Sequence, residues 1–255
     1  MSLIDTHAHL YEDVFKEDED DVINGIRDAG IIKILLPNTD TSTINSVIQL
    51  EKKYPNLFAS MLGVHPDNVK DDYKHQISVL EKALSDHKYI GIGEVGLDYY
   101  ESTVDREVQK KFLDIEISLA QECNLPMSIH VRNAFDDAYK LFKNRDNGNL
   151  KGVIHCFTGT IDQANMWIDL GFKLGIGGIV TFKKSTLPDV LKHISLDNTV
   201  LETDSPCLTP EPHRGKRNDS RYLTIIADKL SIVYNEDIKI IETMTTKNAK
   251  KLFNI

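Results

Sequence analysis

Long apolar runs are missing from this chain. Its apolar stretches are about the length of a β-strand, well below the roughly 20 residues that a membrane-spanning helix requires. The opening MSLIDTHAHL lacks a basic start, an extended apolar segment and a small-residue cleavage site, so it does not match a secretory signal. We therefore expect a cytoplasmic protein that neither spans a membrane nor enters a secretory pathway.

Cysteine is also scarce. The three cysteines, Cys123, Cys156 and Cys207, are far apart and form no CxxC pair. Such a pattern predicts reduced thiols in a cytosol-like compartment, where disulfides are rare. We expect these side chains to serve as small hydrophobic residues of the core.

Positive charge is in deficit, with 30 Lys and Arg against 39 Asp and Glu and a formal net charge of −9. This balance argues against a protein that coats long stretches of nucleic acid, since that mode of binding needs many contacts from Lys and Arg to phosphates. A nucleic-acid substrate is still compatible with it, because bound divalent cations would reverse the local sign of an acidic pocket.

Eight short runs rich in Ile, Val and Leu recur at intervals long enough for a helix. They read SLIDTH, IIKILLPN, LFASMLGVH, YIGIGEVG, PMSIHV, KGVIH, FKLGIGG and NTVLETD. Several are apolar at consecutive positions, as expected of parallel strands that are buried on both faces. Amphipathic segments lie between them, most clearly residues 105–122, and residues 237–253 predict a further helix or helix pair.

This alternation of strands and helices predicts an α/β fold. The length of the chain favours a single (β/α)8 TIM-type barrel with an extra C-terminal helix, because such barrels need roughly 250 residues. We expect one domain over residues 1–255, and a doubly wound open sheet is the main alternative.

Side chains that bind metals stand at the carboxyl ends of the predicted strands. These residues are His7 and His9, Glu94, His130, His155 and Asp204, after the first, fourth, fifth, sixth and eighth strands. In a barrel such ends meet at one mouth, where active sites of this fold lie. Residues two apart on a strand face the same side, so His7 and His9 can bind one ion.

Four imidazoles and two carboxylates exceed what one ion usually takes from protein. The set therefore predicts two divalent metal ions that share a carboxylate, with Glu94 as the bridge. Imidazole and carboxylate suit zinc, iron or manganese, whereas magnesium prefers oxygen ligands. The ligand set does not decide the metal, and Mg, Mn and Zn are the candidates.

Three further polar residues flank these positions. Asp5 precedes the HxH pair and would point the other way along the strand, so we expect it to be a partner of a helix or loop and not a ligand. GLDYY after Glu94 predicts a structured loop in which Asp98 caps or hydrogen-bonds. His65, in GVHP at the end of the third predicted strand, either contacts the substrate or holds a turn before Pro66.

A basic segment, PHRGKRN at residues 212–218, follows Asp204 and contains Arg214, Lys216 and Arg217. Beside a two-metal site it would form an anion clamp, since guanidinium groups bind phosphate in a bidentate way. Arg132, two residues past His130, would join it from the same side of the strand. This combination favours a phosphate ester as substrate.

The motifs IDTHAHL, GVHP, GIGEVGLDYY, SIHVR, GVIHCFTG, LETDSPCLTP and HRGKRN, in this order, resemble the TatD family of metal-dependent deoxyribonucleases. The resemblance spans essentially the whole chain. It implies hydrolysis of DNA, commonly as a 3′ to 5′ exonuclease aided by magnesium. It also implies metal binding at His7, His9, Glu94, His130, His155 and Asp204. The family often continues KRN with Glu-Pro, whereas this chain has Asp219 and Ser220.

We interpret the chain as a nuclease in which a metal-activated water attacks the phosphate and Asp204 orients that water or takes its proton. Its substrate partner would be DNA ends or single strands, and no obligate protein partner is indicated. An amidohydrolase-type enzyme that cleaves an amide or ester in a small molecule is the alternative, since a fold does not determine a substrate. A catalytically inactive binding protein is a third reading, which the intact ligand set disfavours.

Overall fold

A computed structural model describes residues 2–255 of the chain. Eight parallel strands follow one another in sequence order around a single sheet. They are β1 (Leu3–Asp5), β2 (Ile31–Pro37), β3 (Phe58–Leu62), β4 (Gly91–Asp98), β5 (Met127–Arg132), β6 (Gly152–Ile154), β7 (Phe172–Ile176) and β8 (Thr199–Leu201). Each lies within or overlaps one of the eight apolar runs, so the predicted strands are confirmed.

Helices connect the strands and cover the outside of the sheet. They are α1 (Glu19–Asp28), α2 (Ile44–Lys53), α3 (Lys74–Asp86), α4 (Arg106–Cys123), α5 (Phe135–Arg145), α6 (Ile161–Asp169), α7 (Leu187–Leu191), α8 (Leu223–Tyr234) and α9 (Ile238–Phe253). α4 begins where the Asp105 carboxylate accepts the backbone N–H groups of Glu107 and Val108, as a good N-cap does. The predicted C-terminal helix is α9.

The sheet closes on itself between β1 and β8. Thr6 N donates to Leu201 O at 2.9 Å, and Asp204 N donates to His7 O at 2.9 Å. Ala8 and Ser205 form a parallel bridge one step further along. The fold is therefore a TIM-type barrel, and the open-sheet alternative is excluded.

Two boundaries differ from the sequence-based expectation. β1 ends at Asp5, so His7 and His9 follow the strand, although backbone bonds from Ala8 N to Leu35 O and from His9 N to Ser205 O hold them against neighbouring segments. β4 continues through Asp98, three residues into the GLDYY segment that we expected to be a loop. The reason is pairing with β5, since Asp98 lies opposite Arg132 in that register.

Gly96 allows β4 to come close to β5. It adopts a φ of 148°, which L side chains rarely do, and a Cβ there would lie 1.9 Å from His130 O. The glycine thus permits the tight approach that sets Glu94 and Asp98 beside His130.

The cysteines do not have the role that we expected. Cys123 and Cys207 are exposed and Cys156 is half-buried, so they are not core residues, and all three are free thiols. Among residues 2–255, moreover, no helix is both long enough and apolar enough to cross a bilayer.

An aromatic cluster packs α5 and α6 against β7. Trp167 is fully buried, and its ring centroid lies 5.4 Å from those of Phe142 and Phe172 in edge-to-face contacts. Such contacts add to the free energy gained by burying large rings.

Replacing Trp167 with Ala should therefore lower the free energy of unfolding by about 3–5 kcal/mol, because it removes a large buried ring and leaves a cavity. Urea unfolding followed by far-ultraviolet circular dichroism measures the change. Ile232→Ala is the control, since Ile232 is 74% exposed and its loss should alter stability by less than about 0.5 kcal/mol. Equal losses in the two variants would contradict this view of the core.

Candidate metal centre

The six side chains expected at the barrel mouth come together there. Four of them are nearly inaccessible to solvent: His7, His9, Glu94 and His155. The side chains of His130 and Asp204 are each 17% exposed, so they mark where solvent reaches the cluster. His130 lies near the end of β5, and the segments that follow β1, β6 and β8 supply four more. Glu94 was expected at the end of the fourth strand but stands within β4, because pairing with β5 extends that strand to Asp98.

One carboxylate oxygen of Glu94 faces the HxH pair. Glu94 Oε2 lies 3.3 Å from His7 Nε2 and 3.4 Å from His9 Nε2. Asp204 Oδ1 lies 3.5 Å from His9 Nε2 and 3.9 Å from His7 Nε2. These atoms surround one small space.

The other oxygen of Glu94 faces a different set of imidazoles. Glu94 Oε1 lies 3.2 Å from His130 Nδ1 and 3.7 Å from both His155 Nε2 and His65 Nε2. The position of Glu94 between two groups of nitrogens is the arrangement that a bridging carboxylate requires. His65 therefore lies beside the cluster. The sequence had left two roles open for it, a substrate contact or a turn residue.

The spacing of these atoms suits a divalent cation. Metal bonds of about 2.0–2.2 Å at tetrahedral or octahedral angles place neighbouring donor atoms roughly 3.0–3.6 Å apart. The distances from Glu94 to His7, His9 and His130 are 3.3, 3.4 and 3.2 Å. Candidate groups form around each oxygen of Glu94, one with His7 and His9 and one with His65 and His130.

Each of the four imidazoles also has a partner for its second ring nitrogen. His7 Nδ1 lies 2.9 Å from Ser128 Oγ, and His9 Nδ1 lies 3.0 Å from Tyr11 Oη. The remaining two rings meet carboxylates, His130 at Asp98 and His155 at Glu202, both at 2.9 Å. Such partners orient the ring of a metal-binding histidine and make it a better ligand.

Three of these four partners, Ser128, Tyr11 and Glu202, were not recognised in the sequence. Glu202 carries the clearest signal, because it stands two residues before Asp204 in the LETD motif and is completely buried. It also accepts the backbone N–H of Cys156 at 2.5 Å. Asp98 hydrogen-bonds as expected, since it accepts the N–H groups of Tyr100 and Glu101 besides contacting His130.

The family model for TatD related DNase matches residues 4–254 of this chain. The chain belongs to the TatD family. "Uncharacterized metal-dependent hydrolase YabD" of Bacillus subtilis is 34% identical over 99% of both chains. "Uncharacterized metal-dependent hydrolase BU355" of Buchnera aphidicola is 38% identical over the full length of both chains.

A solved structure supports the assignment. The crystal structure of YjjV, a TatD homolog from Escherichia coli K12, superposes with a TM-score of 0.93 at 29% sequence identity. The superposition covers 99% of this chain and 98% of that one. The protein is thus a member of a family of metal-dependent hydrolases.

Electrostatics in the TatD-family cluster favour charged carboxylates. Burial raises the pKa of Glu94, but the charges and hydrogen bonds of His7, His65 and His130 outweigh burial and hold that pKa well below its ordinary value. Burial also opposes protonation of His130 and His155, yet contacts with Asp98 and Glu202 raise the pKa of each ring to about 9. A bound cation would replace those ring protons, so metal binding by these residues would release protons.

Asp5 lies under the cluster and contributes to barrel closure. Its buried carboxylate accepts the hydroxyl protons of Thr203 and Ser220, each at 2.6 Å, and the backbone N–H of His7 at 3.2 Å. Asp5 is therefore a hydrogen-bonding partner of the segments that follow β1 and β8. Ser220 and Asp219, where this chain departs from the usual Glu-Pro of the family, are both buried, and Asp219 pairs with Arg221.

The basic side chains near the barrel mouth differ in whether an acidic residue already pairs with them. Arg217 forms a two-pronged ion pair with Asp18, so we leave it out of the anion clamp. Arg132 donates to Glu101 at 2.5 Å and lies over the Tyr100 ring. Arg214 is exposed and stacks on Phe182, with its guanidinium carbon 3.9 Å from the ring centroid.

Glu116 of α4 supports the His65 loop from outside the cluster. Its buried carboxyl accepts the Val64 N–H at 2.9 Å, one residue before His65. Burial raises the pKa of Glu116 well above its ordinary value, so the folded protein keeps a proton that the unfolded chain releases above about pH 4.5.

Glu116→Gln should therefore stabilise the protein more at pH 8 than at pH 5. When the pKa of a carboxyl group rises on folding, the folded state becomes less stable as the pH increases above the pKa of the unfolded chain. The amide of Gln does not titrate, so the variant lacks this loss of stability. Equilibrium unfolding at several pH values measures this dependence. The control is Glu122→Gln, on the exposed face of the same helix, which should change stability little at either pH. If the gain from Glu116→Gln did not vary with pH, the raised pKa of Glu116 would be contradicted.

Proposed function

We propose that this TatD-family protein is a two-metal phosphodiesterase that acts on DNA, as a 3′ to 5′ exonuclease on ends or single strands. The observation that carries the proposal is Glu94, whose two oxygens face separate groups of imidazoles at the barrel mouth. An exposed arginine, Arg214, provides an anion contact on a loop that leaves the same end of the barrel.

The metal ligands in this proposal fall into two groups around Glu94. His7, His9 and Glu94 Oε2 would hold one ion, and Glu94 Oε1 with His130 and His155 the other. Asp204 would complete the first group, because its Oδ1 is nearest to His9. When bound, the cations supply an activated water and compensate the charge that develops on the phosphate.

Asp204 is our candidate general base. Its carboxylate keeps a lowered pKa despite burial, owing to His155, His9 and His7, and part of its side chain reaches solvent. It also adopts a left-handed backbone conformation with φ of 57°, a region that Asp enters more readily than most residues do. We propose that Asp204 orients the attacking water and accepts its proton.

The remaining residues bind and position. Arg214, Arg132 and His65 are the proposed contacts to phosphate oxygens, and Arg132 would exchange its bond to Glu101 for one to substrate. The charge of −9 supports attack on ends or single strands, where few phosphates need be held at once. The three free thiols support the expected cytoplasmic compartment.

Metal content tests the bridge directly. We expect two equivalents of Mn²⁺ per chain after dialysis and fewer in Glu94→Gln, by plasma mass spectrometry. A metal at about 100 times its Kd should raise the free energy of unfolding by about 2.7 kcal/mol per site, because it binds only the folded chain. One equivalent in the wild-type protein would contradict the bridging role.

Cleavage tests the reaction. Chelator-treated protein given back Mg²⁺ or Mn²⁺ should degrade 5′-labelled single-stranded DNA from its 3′ end, as a ladder on a gel. Glu94→Gln should lose at least about 10²–10³-fold in rate, as expected when preorganised charge at a reaction centre is removed. Glu122→Gln is the control, since its side chain lies on the exposed face of α4.

Three other results would correct the proposal in defined ways. Internal fragments would replace the exonuclease mode with an endonuclease mode. A protein that binds metal but cleaves no nucleic acid would favour the small-molecule amide or ester hydrolase. A protein that binds no metal would favour the inactive binding protein.

A further inference from the structure

Four exposed cationic side chains stand on two neighbouring loops of the barrel mouth. Lys183 and Lys184 follow the 3-10 helix Gly178–Thr181 that succeeds β7, and Arg214 and Lys216 lie in the loop after β8. Both loops leave the carboxyl end of the barrel, the end that carries Glu94. We call these four residues the basic wall.

The two loops are joined to one another. Glu211 N donates to Thr181 Oγ1 at 2.9 Å, and Arg214 stacks on Phe182, the residue before Lys183. The backbones also touch, since a Cβ on Gly178 would lie 2.1 Å from Leu208 O. The basic wall is therefore held together by contacts between loops and does not depend on one flexible segment.

The charges of the basic wall are available to a ligand. Within residues 2–255, none of its four members has a carboxylate within 4.0 Å, unlike Arg217 with Asp18 or Lys192 with Asp189. Four unpaired cations on one side of a site are notable in a chain with a net charge of −9. Such a patch attracts polyanions and raises their local concentration.

The β5 and β6 side of the mouth has the opposite character. A cavity of about 520 Å³ there is lined by Asp136, Asp137, Asn133, Thr158 and His155, among others. Asp136 is exposed, so its negative charge would repel a phosphate backbone. Of these two sides, the β7 and β8 side therefore offers a strand of nucleic acid the more favourable path.

We propose that the basic wall binds the phosphates that flank the cleaved one, and that a single DNA strand leaves the metal centre over Lys183, Lys184 and Lys216. The inference rests on the proposed function, because it concerns how that substrate is held. It adds two lysines, Lys183 and Lys184, that belong to none of the sequence motifs. It also predicts that the polymer and a small phosphodiester depend on the wall to different extents.

Binding to DNA can be measured apart from catalysis. The probe is a fluorescent 20-nucleotide single strand in chelator, with fluorescence anisotropy recorded at several salt concentrations. Lys183→Glu/Lys184→Glu should raise the Kd about 10-fold or more, and reduce the slope of log K against log salt by about 1.4, the value for two lost phosphate contacts on a single strand.

A variant of equal charge provides the control. Lys250 and Lys251 are exposed on α9, whose Thr246 and Asn248 contact Ser2 and Thr199 at the amino ends of β1 and β8. Lys250→Glu/Lys251→Glu therefore changes net charge by the same amount at the opposite end of the barrel. We expect it to change the Kd less than about 3-fold and to leave the salt slope close to that of the wild type.

Turnover gives the second measurement. With Mn²⁺, Lys183→Glu/Lys184→Glu should raise KM for the 20-nucleotide strand at least about 10-fold more than KM for bis(p-nitrophenyl) phosphate, while kcat changes little for either substrate. Equal effects of the two double variants, or equal effects on the two substrates, would overturn the basic wall. Cleavage of the small diester alone, with no binding of DNA, would overturn it too and leave a phosphodiesterase; failure on both substrates would instead remove the proposed function.

Discussion

A buried carboxylate surrounded by imidazoles is the feature on which the site depends. Glu94 is only 4% exposed, and a charge so far from water is very costly unless positive groups or ions compensate it. His9, His130 and His155 supply that compensation, because neighbouring acidic groups raise their pKa values despite burial. The ring of His7 approaches the carboxylate from a further direction, at 3.3 Å. Because the rings arrive from different strands, the barrel has to close for the carboxylate to be stabilised at all.

The polar residues outside the cluster show how that arrangement is kept in place. Ser128, Tyr11, Asp98 and Glu202 each contact the ring nitrogen that points away from the centre. These contacts restrict the rotation of each ring, so the nitrogens facing Glu94 are in position before any ligand arrives. The same logic extends to Asp5, which connects the segments after β1 and β8 through Thr203 and Ser220.

The mouth of the barrel is electrostatically asymmetric. One side presents Lys183, Lys184, Arg214 and Lys216, and the other presents a cavity with exposed Asp136. The net charge of the chain conceals this difference, because it averages over the whole surface. A local field beside a reaction centre has more influence on a polyanionic ligand than the total charge does.

Much of this molecule could be predicted from local patterns. Eight apolar runs of strand length, separated by amphipathic segments, predicted a parallel α/β fold, because parallel strands buried on both faces require continuous apolar sequence. The hydrogen bonds between the segments at β1 and β8 then excluded the open sheet. The six side chains at the strand ends could also be predicted to converge, since the carboxyl ends of all strands in a closed barrel share one mouth. The motif order was specific enough to indicate the TatD family.

Only the tertiary structure decided which partners those side chains have. Glu94 stands between two groups of imidazoles, and Glu202 contacts His155. Arg217 is paired with Asp18, whereas Arg214 has no such partner. All these contacts join segments that are far apart in sequence. The same is true of the strand ends at Asp5 and Asp98, which neighbouring segments set by hydrogen bonding. Periodicity along a chain reports which face is buried, whereas distances between side chains on different strands arise only when the barrel closes.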